Sequence, residues 1–225
     1  MRFSKAQIKY TMENIIESFK EMVLDKAFPC VAAKDALKKG NVQILTATHL
    51  ACPHDDQRIL DFIYDFIKKF RKQDKGFHSV VILFPHTQPL SEVEFEAYLF
   101  QRLKALRALD AKHFAYDPRV SDNPQAKNFS FSLMEEAFFI IGLHPGSSRP
   151  ARQSPVPAIV FNPHVQFERL RDEERYEKMK AIVRKKDVEY SGSTNPMLMD
   201  FGDRSEVYQY SGRQYASGER CPFNL

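Results

Sequence analysis

The feature that most limits the fold is a short segment with apolar residues on both faces. Five consecutive apolar residues run from Val80 to Phe84, and Pro85 follows them. A half-exposed strand alternates apolar and polar residues, so an uninterrupted apolar strand belongs in the middle of a sheet that is covered on both sides. Proline cannot donate an N–H to a neighbouring strand, and we therefore expect the strand to end at Pro85.

Amphipathic helices are predicted on either side of this strand in the sequence. Apolar residues recur at helical spacing over residues 5–25, 59–70 and 93–109. A strongly charged helix is predicted over residues 164–185. Each of the apolar stripes needs a partner surface, and the two faces of a sheet provide it.

Further strands are predicted at 42–46, 129–134, 137–143 and 158–161. The second and third of these are predicted to form a hairpin that turns at Glu135 and Glu136. These elements together predict an α+β fold in which a mainly antiparallel central sheet is flanked by helices, and residues 1–225 form a single domain.

Two segments without regular structure are also expected to have a role. Residues 110–128 contain turn signals and few periodic apolar positions, so they are predicted to be a loop that forms a lid or a site wall. Residues 186–225 are rich in turns and aromatic side chains, and we expect them to dock on the core.

Composition argues against two classes of partner. The chain has 33 basic and 29 acidic residues, and they are interspersed, which disfavours a nucleic-acid-binding stripe. Apolar runs fall short of the roughly 20 residues that cross a bilayer, so no membrane association is expected. Three cysteines at irregular spacing favour reduced thiols and a cytoplasmic location.

Cys30 lies where a short helix is predicted to begin, between Pro29 and a stop at Gly40. Free N–H groups and the positive end of the helix dipole stabilise a thiolate at such a position. Cys30 is therefore a candidate nucleophile or iron ligand. The alternative interpretation is a small buried core residue.

The loop over residues 144–152 combines an imidazole with guanidinium groups. His144, Arg149 and Arg152 lie within nine positions together with two serines. Guanidinium groups bind carboxylates and phosphates with two parallel hydrogen bonds, so this loop is a candidate anion-binding site. The alternative is an ordinary solvated loop.

A further candidate site contains His164 and Glu168, which lie four residues apart on one face of a predicted helix. Together with His144 they would supply two imidazoles and a carboxylate, a set that binds non-haem iron or zinc. A histidine at a helix end is also often only a capping or surface residue.

Several of these segments, taken in order, resemble the YqcI/YcgG family. The matching segments are 28–34, 129–132, 142–152, 161–168, 195–198, 205–206 with 209–213, and 221–223. Members of that family with an assigned activity are similar to haem-dependent N-hydroxylases that act on small guanidine or amine compounds. The resemblance therefore implies a haem-dependent monooxygenase with molecular oxygen as co-substrate and a small-molecule substrate.

The resemblance also implies roles for individual residues. Cys30 would be the axial iron ligand, since a thiolate ligand favours O–O cleavage, and His144 and His164 are the competing ligands. Arg149 and Arg152 would pair with the haem propionates.

The remaining roles concern protons, substrate and electrons. A histidine that is not bound to iron, His164 in our assignment, would act as the catalytic proton donor. Glu168 and Glu206 would bind a cationic substrate group. Nucleotide-binding fingerprints are absent from the sequence, so electrons would come from an external reductase or ferredoxin.

Two alternatives stay open at this point. One is a non-haem iron enzyme that uses His144, His164 and Glu168, and the other is a haem-binding protein without catalytic activity. The oligomeric state is also open, with a homodimer as one option.

Overall fold

The computed structural model describes residues 5–73, 75–216 and 218–225, with side chains from Glu13 onward. Helix α1 (Lys5–Leu24) covers the predicted segment at 5–25, and the apolar side chains of its first turns lie outside the described residues.

A five-stranded sheet forms the centre of the molecule, with strand order β1-β2-β5-β4-β3. The strands are β1 (Val42–Thr46), β2 (Ser79–Leu83), β3 (Phe131–Leu133), β4 (Glu136–Leu143) and β5 (Ala158–Pro163). Only β1 and β2 pair in parallel, and the other neighbours are antiparallel. The predicted α+β class with a mainly antiparallel sheet is confirmed.

Helices cover both faces of this sheet, as the sequence predicted. They are α1 (Lys5–Leu24), α2 (Val31–Lys38), α3 (Asp56–Phe70), α4 (Glu92–Asp110), α5 (Val165–Asp172) and α6 (Tyr176–Ser191). Short 3-10 turns lie at Pro53–Asp55, Pro150–Arg152 and Glu206–Gln209.

The apolar side chains of β2 pack alternately into two different cores. Val80 and Ile82 pack in the core formed with α3 and α4, while Val81 and Leu83 pack in the core formed with α1 and α2. Successive side chains of a strand point to opposite faces, so every residue of a doubly covered strand has to be apolar. We call the side with α3 and α4 the packed face, and the side with α1, α2 and α6 the cavity face.

The prediction of one charged helix over 164–185 is wrong in one respect, because this segment forms two helices, α5 and α6. Glu174 has a φ of 57°, which interrupts the right-handed helix. The N–H groups of Glu174 and Arg175 donate to the carbonyls of Arg171 and Leu170, the bonding pattern of a Schellman motif. The sequence lacks the glycine that usually marks this ending.

The predicted hairpin is confirmed, but its turn lies one residue earlier than expected. Met134 and Glu135 occupy the two turn positions with φ values of 51° and 55°, and Glu136 already belongs to β4. Such φ values favour Asn or Gly. Here the side chain of Arg71 donates to the carbonyls of both turn residues, at 2.7 and 3.2 Å, and this bonding stabilises the turn.

The C-terminal segment docks on the packed face, as predicted. Val207, Tyr210 and Phe223 are buried in its core. The Glu96 carboxylate of α4 accepts hydrogen bonds from Ser211, Arg213 and Tyr215 of this segment. A buried carboxylate thus fastens the chain end to the fold.

Candidate functional site

A cavity of about 310 Å³ lies on the cavity face, between the sheet and helices α1, α2 and α6. Its floor is apolar and includes Val81, Ile141, Leu143 and Val160. The volume falls at the lower end of the roughly 300–1,000 Å³ of small-molecule sites. Residues 110–128 do not line it, so the prediction that this loop forms a wall or lid is wrong for this cavity.

Cys30 lies in the wall of the cavity, at the start of α2. It is the N-cap residue, one position before the first helical turn in which it was predicted. Its extended backbone turns the side chain back, and Sγ accepts the N–H of Ala33 at 3.4 Å. Cys52 and Cys221 do not line the cavity, which leaves Cys30 as the cysteine that can reach a bound group there.

Burial is the largest influence on the pKa of this cysteine. Desolvation raises the pKa of the Cys30 thiol, and it outweighs the N–H groups of Ala33 and Ala32 and the positive charges of Lys34 and Arg152. The helix N-terminus was predicted to favour a thiolate at Cys30, and its N–H groups do act in that direction, but burial opposes them in the protein without a bound metal. A metal ion removes the proton of a thiol that binds it, so Cys30 is still a possible ligand.

Arg149 and Arg152 also line the cavity, and the charge of Arg152 acts on Cys30. Arg149 donates to the Asp187 carboxylate and, at 2.6 Å, to the Ser193 carbonyl. Arg152 donates to backbone carbonyls, including that of Gln209 at 2.9 Å, and burial lowers the pKa of Arg152 to about 10. Both guanidinium groups already have protein partners, so their pairing with haem propionates stays a prediction that requires an exchange of partners.

His164 lies at the opposite end of the cavity, directly after β5. Its Nδ1 is 3.2 Å from Glu168 Oε1, and its Nε2 is 3.9 Å from Glu206 Oε2. The ring of Phe201 covers the imidazole, with 4.3 Å between ring centroids. The predicted N-terminus of the following helix is shifted, because β5 extends through Pro163 and His164 is the N-cap residue of α5.

Glu206 is a buried acid in the cavity wall. Its Oε1 accepts hydrogen bonds from Ser130 and Tyr210, both at 2.7 Å. Desolvation raises the pKa of Glu206 to about 7, although His164 and the two hydroxyls act in the opposite direction. The carboxyl is thus divided between its two protonation states near neutral pH.

Glu168, the second carboxylate predicted to bind substrate, does not line the cavity. Its side chain keeps 37 % of its surface exposed. The hydrogen bond with His164 lowers the pKa of Glu168, so it is an anion near neutral pH. Glu206 and Glu168 therefore contact the same imidazole from two different environments.

His144 is far from this group. It follows β4, whereas His164 follows β5, and these strands are antiparallel with Leu143 opposite Ala158. The ends of the two strands therefore lie at opposite edges of the sheet, about 17 Å apart at 3.4 Å per residue. His144 lies on the packed face, stacked on Phe95 with 4.2 Å between ring centroids.

The site predicted from His144, His164 and Glu168 is consequently wrong. No group of three or more His, Cys, Asp or Glu residues in the described ranges is arranged to hold a metal ion. Burial lowers the pKa of His144, and neither ring nitrogen has a hydrogen-bond partner among the described residues. His144 is not a cavity residue, and its predicted role as a haem ligand has no support from this placement.

Two residues at the His164 end of the cavity were not predicted from the sequence. Asn162 lines the cavity, and its Oδ1 accepts the Ser79 hydroxyl at 2.7 Å. Phe201 covers His164 from the segment after α6. Asn162 could have been identified from its position on β5, two residues before His164, because alternate residues of a strand lie on the same face. Nothing in the sequence marked Phe201.

None of the helices in the described part of the chain combines the length and the apolar character that crossing a membrane requires.

Comparison with known proteins gave one match. A sequence model of the YqcI/YcgG family matches residues 19–224. No curated protein and no solved structure shows significant similarity to the chain.

Proposed function

The chain belongs to the YqcI/YcgG family, and we propose that it is a haem-dependent monooxygenase that N-hydroxylates a small guanidine or amine. The observation that carries the proposal is the position of Cys30 in the wall of the cavity. The activity itself comes from the resemblance to family members that use haem.

The residues of the cavity fit a bound haem in their donor set. Cys30 is the one described thiol in its wall, with the Ala33 N–H on its sulfur to support a negative charge. The floor is apolar, as the face of a porphyrin requires, Arg152 provides positive charge near the sulfur, and Arg149 adds a second guanidinium to the cavity wall. His164 and Glu206 lie away from Cys30 and are free to serve another part of the reaction.

Haem bound here would supply the activation of molecular oxygen. The protein's own residues would hold and orient the reactants. Cys30 would hold the iron through Sγ, and Arg152 would stabilise its negative charge. Glu206, with its Oε2 directed to His164, would provide the acid or the carboxylate that the chemistry on a nitrogen substrate needs. An external reductase or ferredoxin would supply the electrons, and we expect this reaction in the cytoplasm.

The test is an absorption spectrum of protein produced with ample haem supply. We expect an intense haem band, and a spectrum typical of thiolate ligation after reduction under carbon monoxide. Cys30→Ala should abolish the thiolate spectrum while Cys52→Ala, a matched cysteine outside the cavity, should leave it unchanged. Protein without a haem band, or with the same spectrum after Cys30→Ala, would refute the assignment of Cys30.

A turnover assay separates catalysis from simple binding. Haem-loaded protein with a reductant, oxygen and small guanidines or amines should form N-hydroxy products. A haem spectrum without product from any such compound would instead support a haem-binding protein that lacks this activity.

A further inference from the structure

Three side chains at the His164 end of the cavity form a row from the surface to the interior. We propose that Glu168, His164 and Glu206 form a proton relay that carries protons from solvent into the cavity, where Glu206 holds them for the reaction. The use of the delivered proton depends on the proposed function, whereas the relay itself is a property of the protein chain.

The geometry links the three residues in one order. Glu168 Oε1 lies within hydrogen-bond distance of His164 Nδ1, at 3.2 Å. His164 Nε2 faces Glu206 Oε2 at 3.9 Å, which is longer than a hydrogen bond, so proton transfer between them requires the imidazole to approach the carboxyl. An imidazole can accept a proton on one nitrogen and release one from the other, so it connects two acids that do not touch.

Exposure gives the row a direction. The Glu168 side chain is 37 % exposed and exchanges protons with water, while that of Glu206 is 4 % exposed and lines the cavity. Only His164, itself 4 % exposed, lies between them. The His164 imidazole is therefore the one member of the row between the solvent-exposed carboxylate and the secluded acid.

The contacts of Glu206 leave one oxygen available for the relay. Ser130 and Tyr210 both donate to Oε1 and fix the carboxyl in place. Among the described residues, Oε2 has His164 as its polar neighbour. A carboxyl held through one oxygen can take and release a proton at the other without losing its position.

The charges around the row favour transfer near neutral pH. Besides His164 and Tyr210, the charge of Arg171 acts on Glu206, and Tyr116 lies within its field. Arg119 and Asp117 act on Glu168 with opposite signs. No Lys or Arg forms an ion pair with Glu206 in the described ranges, which is consistent with a carboxyl that is partly protonated rather than permanently charged.

Each step transfers a proton between two groups and changes no oxidation state. In the delivering tautomer the proton of His164 is on Nε2. The Glu168 carboxylate takes a proton from water and passes it to His164 Nδ1, while the Nε2 proton moves to Glu206 Oε2, and Glu168 is an anion again. The imidazole is then left with its proton on Nδ1, so the ring has to reorient before the next delivery, and Glu206 releases its proton into the cavity. The net result is one proton moved from solvent to the cavity.

Infrared difference spectra of the full-length protein without haem test the first element of the relay. Between pH 6 and 8 exposed carboxyls stay ionised, so a protonated-carboxyl band that disappears over this range reports a buried acid. We expect one such band with a midpoint near pH 7, and its loss in Glu206→Gln, which keeps the acceptor for Ser130 and Tyr210. Should Glu206→Gln not fold, Glu206→Asp serves instead and should shift the band.

The rate at which this band shifts after mixing with D₂O tests the path. We expect Glu168→Gln to slow the shift about tenfold or more, because it removes the acid that exchanges with water. Glu173→Gln, an exposed carboxylate near the end of the same helix, is the matched control and should leave the rate unchanged.

Two results would overturn the relay. One is the absence of a band that depends on residue 206, and the other is an equal exchange rate in Glu168→Gln and the unmodified protein. Neither measurement involves haem, so the relay can fail while the haem assignment stands, and the haem assignment can fail while the relay stands.

Discussion

The two faces of the sheet differ in how completely helices and loops fill the space above them. On the packed face, α3, α4 and the C-terminal segment form a continuous apolar core that includes Phe66, Leu103 and Tyr210. On the cavity face, α1, α2 and α6 leave an open volume of about 310 Å³. One face therefore stabilises the fold, and the other has room for a ligand.

Two buried glutamates show the same difference. Glu96 on the packed face is held by the Arg213 guanidinium and by two hydroxyls, so its charge is compensated. Glu206 on the cavity face has two hydroxyls and an imidazole but no Lys or Arg partner among the described residues. A carboxylate with a permanent counter-ion serves structure, whereas one without it is free to change its protonation state.

The largest effect is expected from a core truncation on the packed face. Leu103→Ala should lower the free energy of unfolding by about 2–5 kcal/mol, because the buried side chain leaves a void among well-packed neighbours. Ile141→Ala, on the floor of the cavity, should cost clearly less, since its side chain already borders open space. Denaturant unfolding of both variants measures the difference, and equal losses would break the comparison.

The second prediction concerns the pH dependence of stability. Because burial raises the pKa of Glu206 from 4.5 to about 7, the folded protein binds more protons than the unfolded chain between these values. The contribution of Glu206 to the free energy of unfolding should be fully present below pH 4.5. The free energy of unfolding should then fall by about 3 kcal/mol as the pH rises from 4.5 through 7.

Unfolding curves of the unmodified protein and Glu206→Gln from pH 5 to 8 isolate this contribution. The loss of stability with pH should be smaller in Glu206→Gln by about that amount. If the free energy of unfolding depended on pH in the same way in both proteins, Glu206 would ionise with an ordinary pKa. The difference between Glu206 and Glu96 would then not be electrostatic.

The smallest effect in this series is expected from the addition of one methyl group. A Cβ on Gly142 would lie 2.7 Å from a ring carbon of Phe95 and 2.9 Å from the Tyr210 carbonyl oxygen. Gly142→Ala should therefore cost about 1–3 kcal/mol through overpacking. Val160→Ile adds a methyl on the cavity floor and should be nearly neutral, so thermal unfolding that ranks the two in reverse would contradict the proposed difference between the faces.

Much of the fold was predictable because its local patterns agree with the tertiary structure. The apolar run at 80–84 identified a strand covered on both faces, and the helical periods at 59–70 and 93–109 identified α3 and α4. The errors fall at left-handed residues without glycine or asparagine. Glu174 ends a helix and Met134 opens a turn, and in both places hydrogen bonds from other residues stabilise the backbone.

The candidate site was predictable in part. Cys30, Arg149, Arg152 and His164 were chosen from their side-chain chemistry and Glu206 from the family resemblance, and all five line the same cavity. The relation between His144 and His164 could not be read from the sequence, because it depends on the antiparallel register of β4 and β5.

The protonation of Cys30 and Glu206 could not be predicted either. Burial dominates the pKa of both groups, and burial is set by residues distant in the sequence.

The 3-10 turn at Glu206–Gln209 joins the two ends of the cavity. Its first residue faces the imidazole of His164, and the carbonyl of its last residue holds the Arg152 side chain that lies near Cys30. A ligand group that paired with Arg152 would compete with the Gln209 carbonyl for the guanidinium. Binding beside the sulfur would therefore act on the same short turn that places the Glu206 carboxyl at His164.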